Sequence, residues 1–216
     1  MRDQLMGAKL DDRNILVVYH YFEKDQSYID NFCHFLRFGY DSRLSYLIVI
    51  AGKCTIDLPV LSNVEYFFSE NQNFDYGGYC AVINSLSIWQ KYDFYFFINS
   101  SVRGPFMPAY SNQKWTDVFV DKFSADVGIV GSVISITPSG HSIAKIYQEK
   151  FGRCDRNSLL LSHVQTTCYV LTRKVLGRLM LSGFYRVGDI LNKDETVRDY
   201  EIHLSQLILD MGLNLQ

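Results

Sequence analysis

The chain has 216 residues, 48% of them hydrophobic and 15% aromatic, enough for one substantial α/β domain with a real core. Its net charge of −2 excludes bulk basicity as a basis for binding nucleic acid or an anionic membrane, and no apolar run approaches the roughly 20 residues that span a bilayer. Five cysteines (Cys33, Cys54, Cys80, Cys154, Cys168) are odd in number and form no CxxC pair, which points to reduced thiols in a soluble cytoplasmic protein and away from a disulfide or zinc framework.

The opening MRDQLMGAKLDDRN holds no apolar signal core. Ile15 to Tyr19 (ILVVY) reads as a buried strand ending in His20-Tyr21-Phe22. Ile29, Phe32, Cys33 and Leu36 then recur at helical spacing, and Gly39 closes that helix as a C-terminal glycine. Tyr46 to Ala51 is a second buried strand and Val64 to Phe68 a shorter third. The stretch NQNFDYGGY opens a helix whose face carries Tyr79, Val82, Ile83, Leu86 and Trp89. A fourth apolar run, Phe94 to Ile98, stops at Asn99-Ser100-Ser101, with Arg103 and the Gly104-Pro105 turn beyond. Strands and helices alternating with short connections argue a parallel, three-layer α/β sheet.

The texture changes after Pro105. Trp115 to Phe123 reads as a short helix. Asp126 to Ile136 reads as a strand that Gly128 and Gly131 interrupt with bends or close backbone approaches. Ser139-Gly140-His141 precedes a helix near Ile143 to Lys150. Thr166 to Leu171 is another strand, Thr172 begins a helix with Val175, Leu176, Leu179 and Met180, and a last helix carries Tyr200, Leu204, Leu207, Ile208 and Met211 up to Gly212. This half is a mixed extension of the sheet.

Ligands of open α/β sheets bind beyond the carboxyl ends of the strands, which singles out His20, Tyr21 and Asn99 to Arg103. His20 and Tyr21 either stack on a base or pack in the core. Asp75 either caps its helix or faces a ligand, and Gly77 and Gly78 either turn the chain or let backbone N–H groups approach phosphate. No GxGxxG follows the first strand and no GxxxxGK[ST] occurs, so ordinary dinucleotide and P-loop binding lose support. His163 is an ordinary polar residue or a ligand for a metal or sugar hydroxyl. Asp194, Glu195, Asp199 and Glu201 favour a helix N-terminus, or Glu201, beside Tyr200, reaches a cleft as a base. His141 and His203 read as solvated. No GxSxG elbow is present.

The succession ILVVYHYF, LIVIAG, NFDYGGY and YDFYFFINSSVRGPF resembles the nucleotide-sugar half of a GT-A glycosyltransferase. Within that group it is similar to the rhamnan-synthesis type of sugar transferase and to the N-terminal glycosyltransferase domain of a large chlorella-virus glycosylation protein. The likeness covers residues 14–110, with HVQTTCYVLT and DYEIHLSQLILDMG matching more loosely.

The resemblance implies a single GT-A-like three-layer α/β sandwich over residues 1–216, with a mostly parallel central sheet and a mixed C-terminal extension. Residues 14–110 would form the nucleotide-sugar half and residues 111–216 the acceptor half, with further domains C-terminal in a parent protein. It implies a hexosyltransferase moving a sugar, glucose or rhamnose, from a UDP-linked donor to a glycan hydroxyl. His20, Tyr21, Asp75, Gly77, Gly78, Asn99, Ser100, Ser101, Arg103 and His163 would bind the donor; Glu201 would act as base if the reaction inverts, and no base is needed if it retains. Asn99 and Ser101 stand where such enzymes carry Asp-x-Asp on Mn2+ or Mg2+. Neutral oxygens are weak ligands for a hard cation, so Arg103 would make up charge on the phosphates. The rival readings are a nucleotide-sugar hydrolase and a non-catalytic nucleotide-sugar or glycan-binding module. Neither nucleic acid nor a membrane span belongs to any of them.

Overall fold

The computed structural model describes residues 13–86, 88–152 and 160–216. The N-terminal stretch before Arg13, Cys154, and the side chains of Leu86 and Trp89 lie outside the described residues. Four parallel strands, β1 (Ile15–Phe22), β2 (Ser45–Ala51), β3 (Val64–Ser69) and β4 (Phe94–Asn99), stand in the order β3-β2-β1-β4. β1, β2 and β4 are near-continuous apolar runs because both of their faces are covered. Helix α1 (Gln26–Phe38) connects β1 to β2, and α2 (Phe74–Leu86) connects β3 to β4. These crossovers move in opposite directions across the sheet, so right-handed connections put the two helices on opposite faces.

The strand period of two sorts the core accordingly. Val17, Tyr19, Phe96 and Ile98 pack with Phe32 and Phe35 of α1 and with Trp115. Leu16, Val18, Tyr95 and Phe97 pack with Tyr79, Val82 and Ile83 of α2. Cys33, expected on the buried face of α1, is exposed, and Phe35 fills that place. Gly39 follows α1 with a right-handed φ of −94°. Its glycine serves close packing, because an added Cβ would stand 2.6 Å from the Phe35 ring.

In the second half α3 (Asp117–Val120) is a four-residue remnant of the helix expected from Trp115 to Phe123. The single interrupted strand expected over Asp126 to Ile136 is two strands, β5 (Val127–Gly131) and β6 (Ile134–Pro138), in different sheets. The glycines mark close approaches: a Cβ on Gly128 would overlap Ile208, and one on Gly131 would overlap Val164. After α4 (Ser142–Phe151), β7 (Leu160–Val164) pairs antiparallel with β6 in a two-stranded sheet. β8 (Cys168–Thr172) lies antiparallel between β4 and β5, and β9 (Asn214–Leu215) adds parallel to β5, completing the seven-stranded order β3-β2-β1-β4-β8-β5-β9. The sheet is thus mostly parallel with a mixed extension, and helices cover both faces.

Thr172 caps α5 (Arg173–Leu181) by accepting from the Val175 N–H. The last helical segment runs from α6 (Lys193–Thr196) through a π-helical stretch, Val197–Ile202, into α7 (His203–Asp210). No helix among the described residues is long and apolar enough to cross a membrane.

Candidate active site

β1 and β4 are neighbours, yet their helical connections leave toward opposite faces, and such a switch point opens a crevice beyond the carboxyl ends of the strands. His20 at the end of β1 sits in register with Asn99 at the end of β4. A cleft of about 400 Å³ opens there. The first half of the chain walls it with His20, Phe74, Asp75 and Asn99 to Ser101, and the second half with Gln165, Thr166, Lys193 and Glu201.

The entry to α2 is bent to serve this wall. Asn73 and Phe74 both take positive φ, 57° and 56°, which Asn tolerates and Phe adopts only at a cost of about 1–3 kcal/mol. The Asn73 side chain fixes the bend by donating to the Asp189 carbonyl and accepting from the Leu191 N–H, both at 2.8 Å. Phe74 thereby becomes part of the cleft wall, and Asp75 falls within the first turn of α2.

Asp75 is half-buried, and its Oδ2 accepts from Asn99 Nδ2 at 2.9 Å. Burial pushes its pKa up to about 6, and the Glu201 carboxylate adds to the shift against the lowering effect of the Asn99 bond. Glu201 comes from the π-helical stretch, a distortion frequent at functional sites. Its Oε2 accepts from the Thr166 hydroxyl at 2.7 Å and the Thr166 N–H at 3.2 Å, while Oε1 lies 3.5 Å from His163 Nε2. Burial raises the Glu201 pKa, but the bonds from His163 and Thr166 outweigh it and hold the carboxyl below its usual range. Two others of the acidic run are structural. Glu195 forms a capping box with Asn192, and Asp199 is bound by Arg198 and Lys150.

The Asn99-Ser101 turn is closed on itself. Asn99 Oδ1 accepts from both the backbone N–H and the hydroxyl of Ser101, and its amide donates to Asp75. Ser100 is buried and clamps β1, its Oγ accepting from the Phe22 N–H and donating to the Phe22 carbonyl. A divalent ion therefore meets no free oxygen at Asn99. No group of three or more His, Cys, Asp or Glu side chains arranged for a metal occurs among the described residues. With Asn99 Oδ1 occupied, the pair offers only the neutral Ser101 hydroxyl oxygen, which does not fit the oxygen-rich, charged shell that Mn2+ or Mg2+ takes.

His20 is buried, with burial lowering its pKa to about 4, so the ring is neutral. It packs edge-on to Tyr79 at 5.9 Å and against Gly78, where an added Cβ would stand 2.5 Å from His20 Cδ2. The Gly77 N–H bonds to the Asn73 carbonyl, and a Cβ on Gly77 would overlap the Gln72 carbonyl. Both glycines serve helix packing, and neither lines the cleft.

Tyr21 faces the α1 side, stacked on Phe32 at 4.4 Å with its hydroxyl donating to Glu23, so it does not reach the cleft either. Arg103 lines a different pocket. His163 touches the site through Glu201 alone. His203, expected in solvent, stacks on Phe151 at 4.0 Å, and His141 caps α4. The cleft also holds residues that sequence reasoning missed: Phe22, Tyr28 and Phe74 as aromatic surfaces, Thr166, and Lys193 as its cation. Lys193 carries no motif, and only the fold brings it here.

No family profile and no curated protein sequence matches the chain. Among solved structures, a mannosyltransferase from Pyrobaculum calidifontis in complex with GDP-Man and Mn2+ is similar over 94% of this chain with a TM-score of 0.51 and 12% identity. The chain spans 54% of that protein's length. The galactosyltransferase LgtC, in complex with donor and acceptor sugar analogs, covers 93% of this chain and 72% of its own at 11% identity and a TM-score of 0.48. The bifunctional glycosyltransferase WbbM covers 90% of this chain and 38% of its own at 16% identity and a TM-score of 0.44. The first of these likenesses establishes the GT-A-like fold of the chain.

Proposed function

We propose that the chain is a hexosyltransferase that moves a sugar from a nucleotide-linked donor to a glycan hydroxyl. The donor in this reading is UDP-linked and its sugar glucose or rhamnose, the reading supported by the resemblance carried by YDFYFFINSSVRGPF. One observation carries the reading. Two carboxylates in one switch-point cleft are displaced in opposite directions, Asp75 up to about 6 and Glu201 below its usual range. Carboxylates split in this way divide proton transfer from charge stabilisation.

In this reading Asp75 is the base in place of Glu201. A carboxylate with a pKa near 6 is ionised at neutral pH and takes a proton from an acceptor hydroxyl more readily than one held low. Glu201 stays charged and stabilises the positive charge that grows at the anomeric carbon as the nucleotide leaves. Lys193, and not Arg103, supplies positive charge to the departing diphosphate. Phe22, Tyr28 and Phe74 offer faces on which a nucleobase stacks. The base and ribose of the nucleotide lie against residues 14–110, its diphosphate reaches across to Lys193, and the acceptor enters beside Gln165 and Thr166 of the second half.

The test is the fate of a UDP-sugar panel. Release of UDP that requires a glycan acceptor supports the transferase. Release without acceptor makes the protein a hydrolase, and binding without release makes it a binding module; either result overturns the proposal.

A further inference from the structure

A second pocket, of about 320 Å³, opens on the α1 side of the sheet, and it shares no residue with the cleft. The turn after β4 divides the two: Asn99 to Ser101 line the cleft, and Val102 to Met107 line the pocket. The pocket wall is almost wholly hydrocarbon, from Phe35, Ile98, Val102, Trp115 and Phe119. Its rim is apolar as well, with Phe106 at 70% and Val118 at 41% exposure, and exposed apolar surface of this kind marks a binding site.

The rim is built in advance. The His34 ring lies between Phe38 and Phe106 at 4.7 Å from each, and its Nε2 is 3.0 Å from the Pro105 carbonyl. One charged group lines this pocket, Arg103, which is exposed and forms no ion pair or hydrogen bond among the described residues. The volume of about 320 Å³ lies at the lower end of the roughly 300–1,000 Å³ of small-molecule sites.

We propose that this pocket binds a monoanionic amphiphile with a single medium-length hydrocarbon chain. The chain packs against Phe35, Ile98 and Trp115, and the anionic head pairs with the Arg103 guanidinium, which matches carboxylate and phosphate geometry. The assignment is independent of the glycosyl-transfer reading, because no cleft residue takes part.

Trp115 in the wall reports on occupancy. In a Trp89→Phe background it is the sole tryptophan of the two in the chain, and decanoate below its micelle threshold should change its fluorescence saturably. Arg103→Ala should weaken decanoate by roughly tenfold, the loss of one charge-assisted contact, and leave decanol within about twofold. Ser132→Phe, at an exposed position on the pocket, should fill it and abolish the response while thermal melting stays unchanged. An absent or non-saturable response, equal affinity in the Arg103 variant, or an intact response in the Ser132 variant would overturn the proposal. So would a response that appears only with vesicles of anionic phospholipid, which would make the rim a membrane contact.

Discussion

The two cavities either side of the β4 turn are built from adjacent residues of the same strands, yet their chemistry is opposite. His20 and Asn99 end one alternate set and face a cleft with two carboxylates and a lysine. Tyr19 and Ile98, one position earlier and also in register, face a pocket of hydrocarbon with one arginine. The pleat alone makes the division, since successive side chains point to opposite faces. Residues at one strand end are therefore not one site. Assigning Tyr21 and Arg103 to the nucleotide treats them as if they were.

The sharpest way to break the comparison is at Asp75. Asp75→Asn keeps the oxygen that accepts from Asn99 and removes the base, so turnover should fall by about 10²–10⁴ with the fold intact. Stability should move the other way. The Asp75 pKa is raised in the folded state from 3.8 to about 6. Its contribution to stability is full below the unfolded value and is lost as pH rises through the folded one. Above pH 7 the parent thus carries a penalty of up to about 3 kcal/mol that the variant lacks. Chemical denaturation at pH 4 and pH 8 checks this: the two proteins should agree more closely at pH 4, and the variant should be the more stable at pH 8. A variant that is less stable at pH 8 would show that the carboxylate is not penalised by burial.

Gly78→Val comes next. Its side chain would press on His20 and Val49, and overpacking of this kind costs about 1–3 kcal/mol. Because His20 is part of the cleft wall, UDP binding should weaken together with stability while ligands of the apolar pocket are unaffected. Urea titration beside UDP calorimetry separates the two. Loss of UDP binding at unchanged stability would restore the glycine pair to a phosphate role.

The pair Lys193→Ala and Arg103→Ala sorts the cations. Lys193 lines the cleft and Arg103 the apolar pocket. Removing the first should weaken UDP by roughly tenfold, the value of one charge-assisted contact, and removing the second should change UDP by less than about twofold. Calorimetry that finds the reverse order would return the phosphate role to Arg103.

What was legible in the sequence follows the same physics. β1, β2 and β4 and the helices between them were readable because uninterrupted β-branched and aromatic runs have few other meanings. Asp75 and Glu201 stood out as carboxylates at helix starts, and both reached the cleft. β7 and β9 were missed: β7 holds polar Ser162 and His163, and β9 is only two residues long. Asp126 to Ile136 was misread as one strand because Gly131 ends β5 in a way that resembles a bend, although the chain there leaves one sheet for another. His20 and Tyr21 point to opposite faces of β1 because of the pleat, and the alternation that separates them is visible in ILVVYHYF. The place of Lys193 depends on how the last helical segment docks, which no local pattern encodes.

The smallest expected effect concerns Ser101. Its hydroxyl and backbone N–H both donate to Asn99 Oδ1, so the hydroxyl holds a turn and its oxygen is a single neutral donor, weak toward a hard cation. Ser101→Ala should remove one exposed hydrogen bond, worth about 1 kcal/mol or less, and should leave the effect of Mn2+ on UDP affinity where it is in the parent. A metal held at Asn99 and Ser101 would behave differently. Deleting one of its few protein oxygens would weaken the ion, and linkage would weaken UDP by the same factor in its presence. Calorimetry of UDP with Mn2+ and with chelator, on parent and variant, gives four affinities. If the ratio of the two parent values equals the ratio of the two variant values, the turn is structural. A ratio that collapses only in Ser101→Ala would place the ion on that turn, and the closed hydrogen bonds of Asn99 would then have to open when the nucleotide arrives.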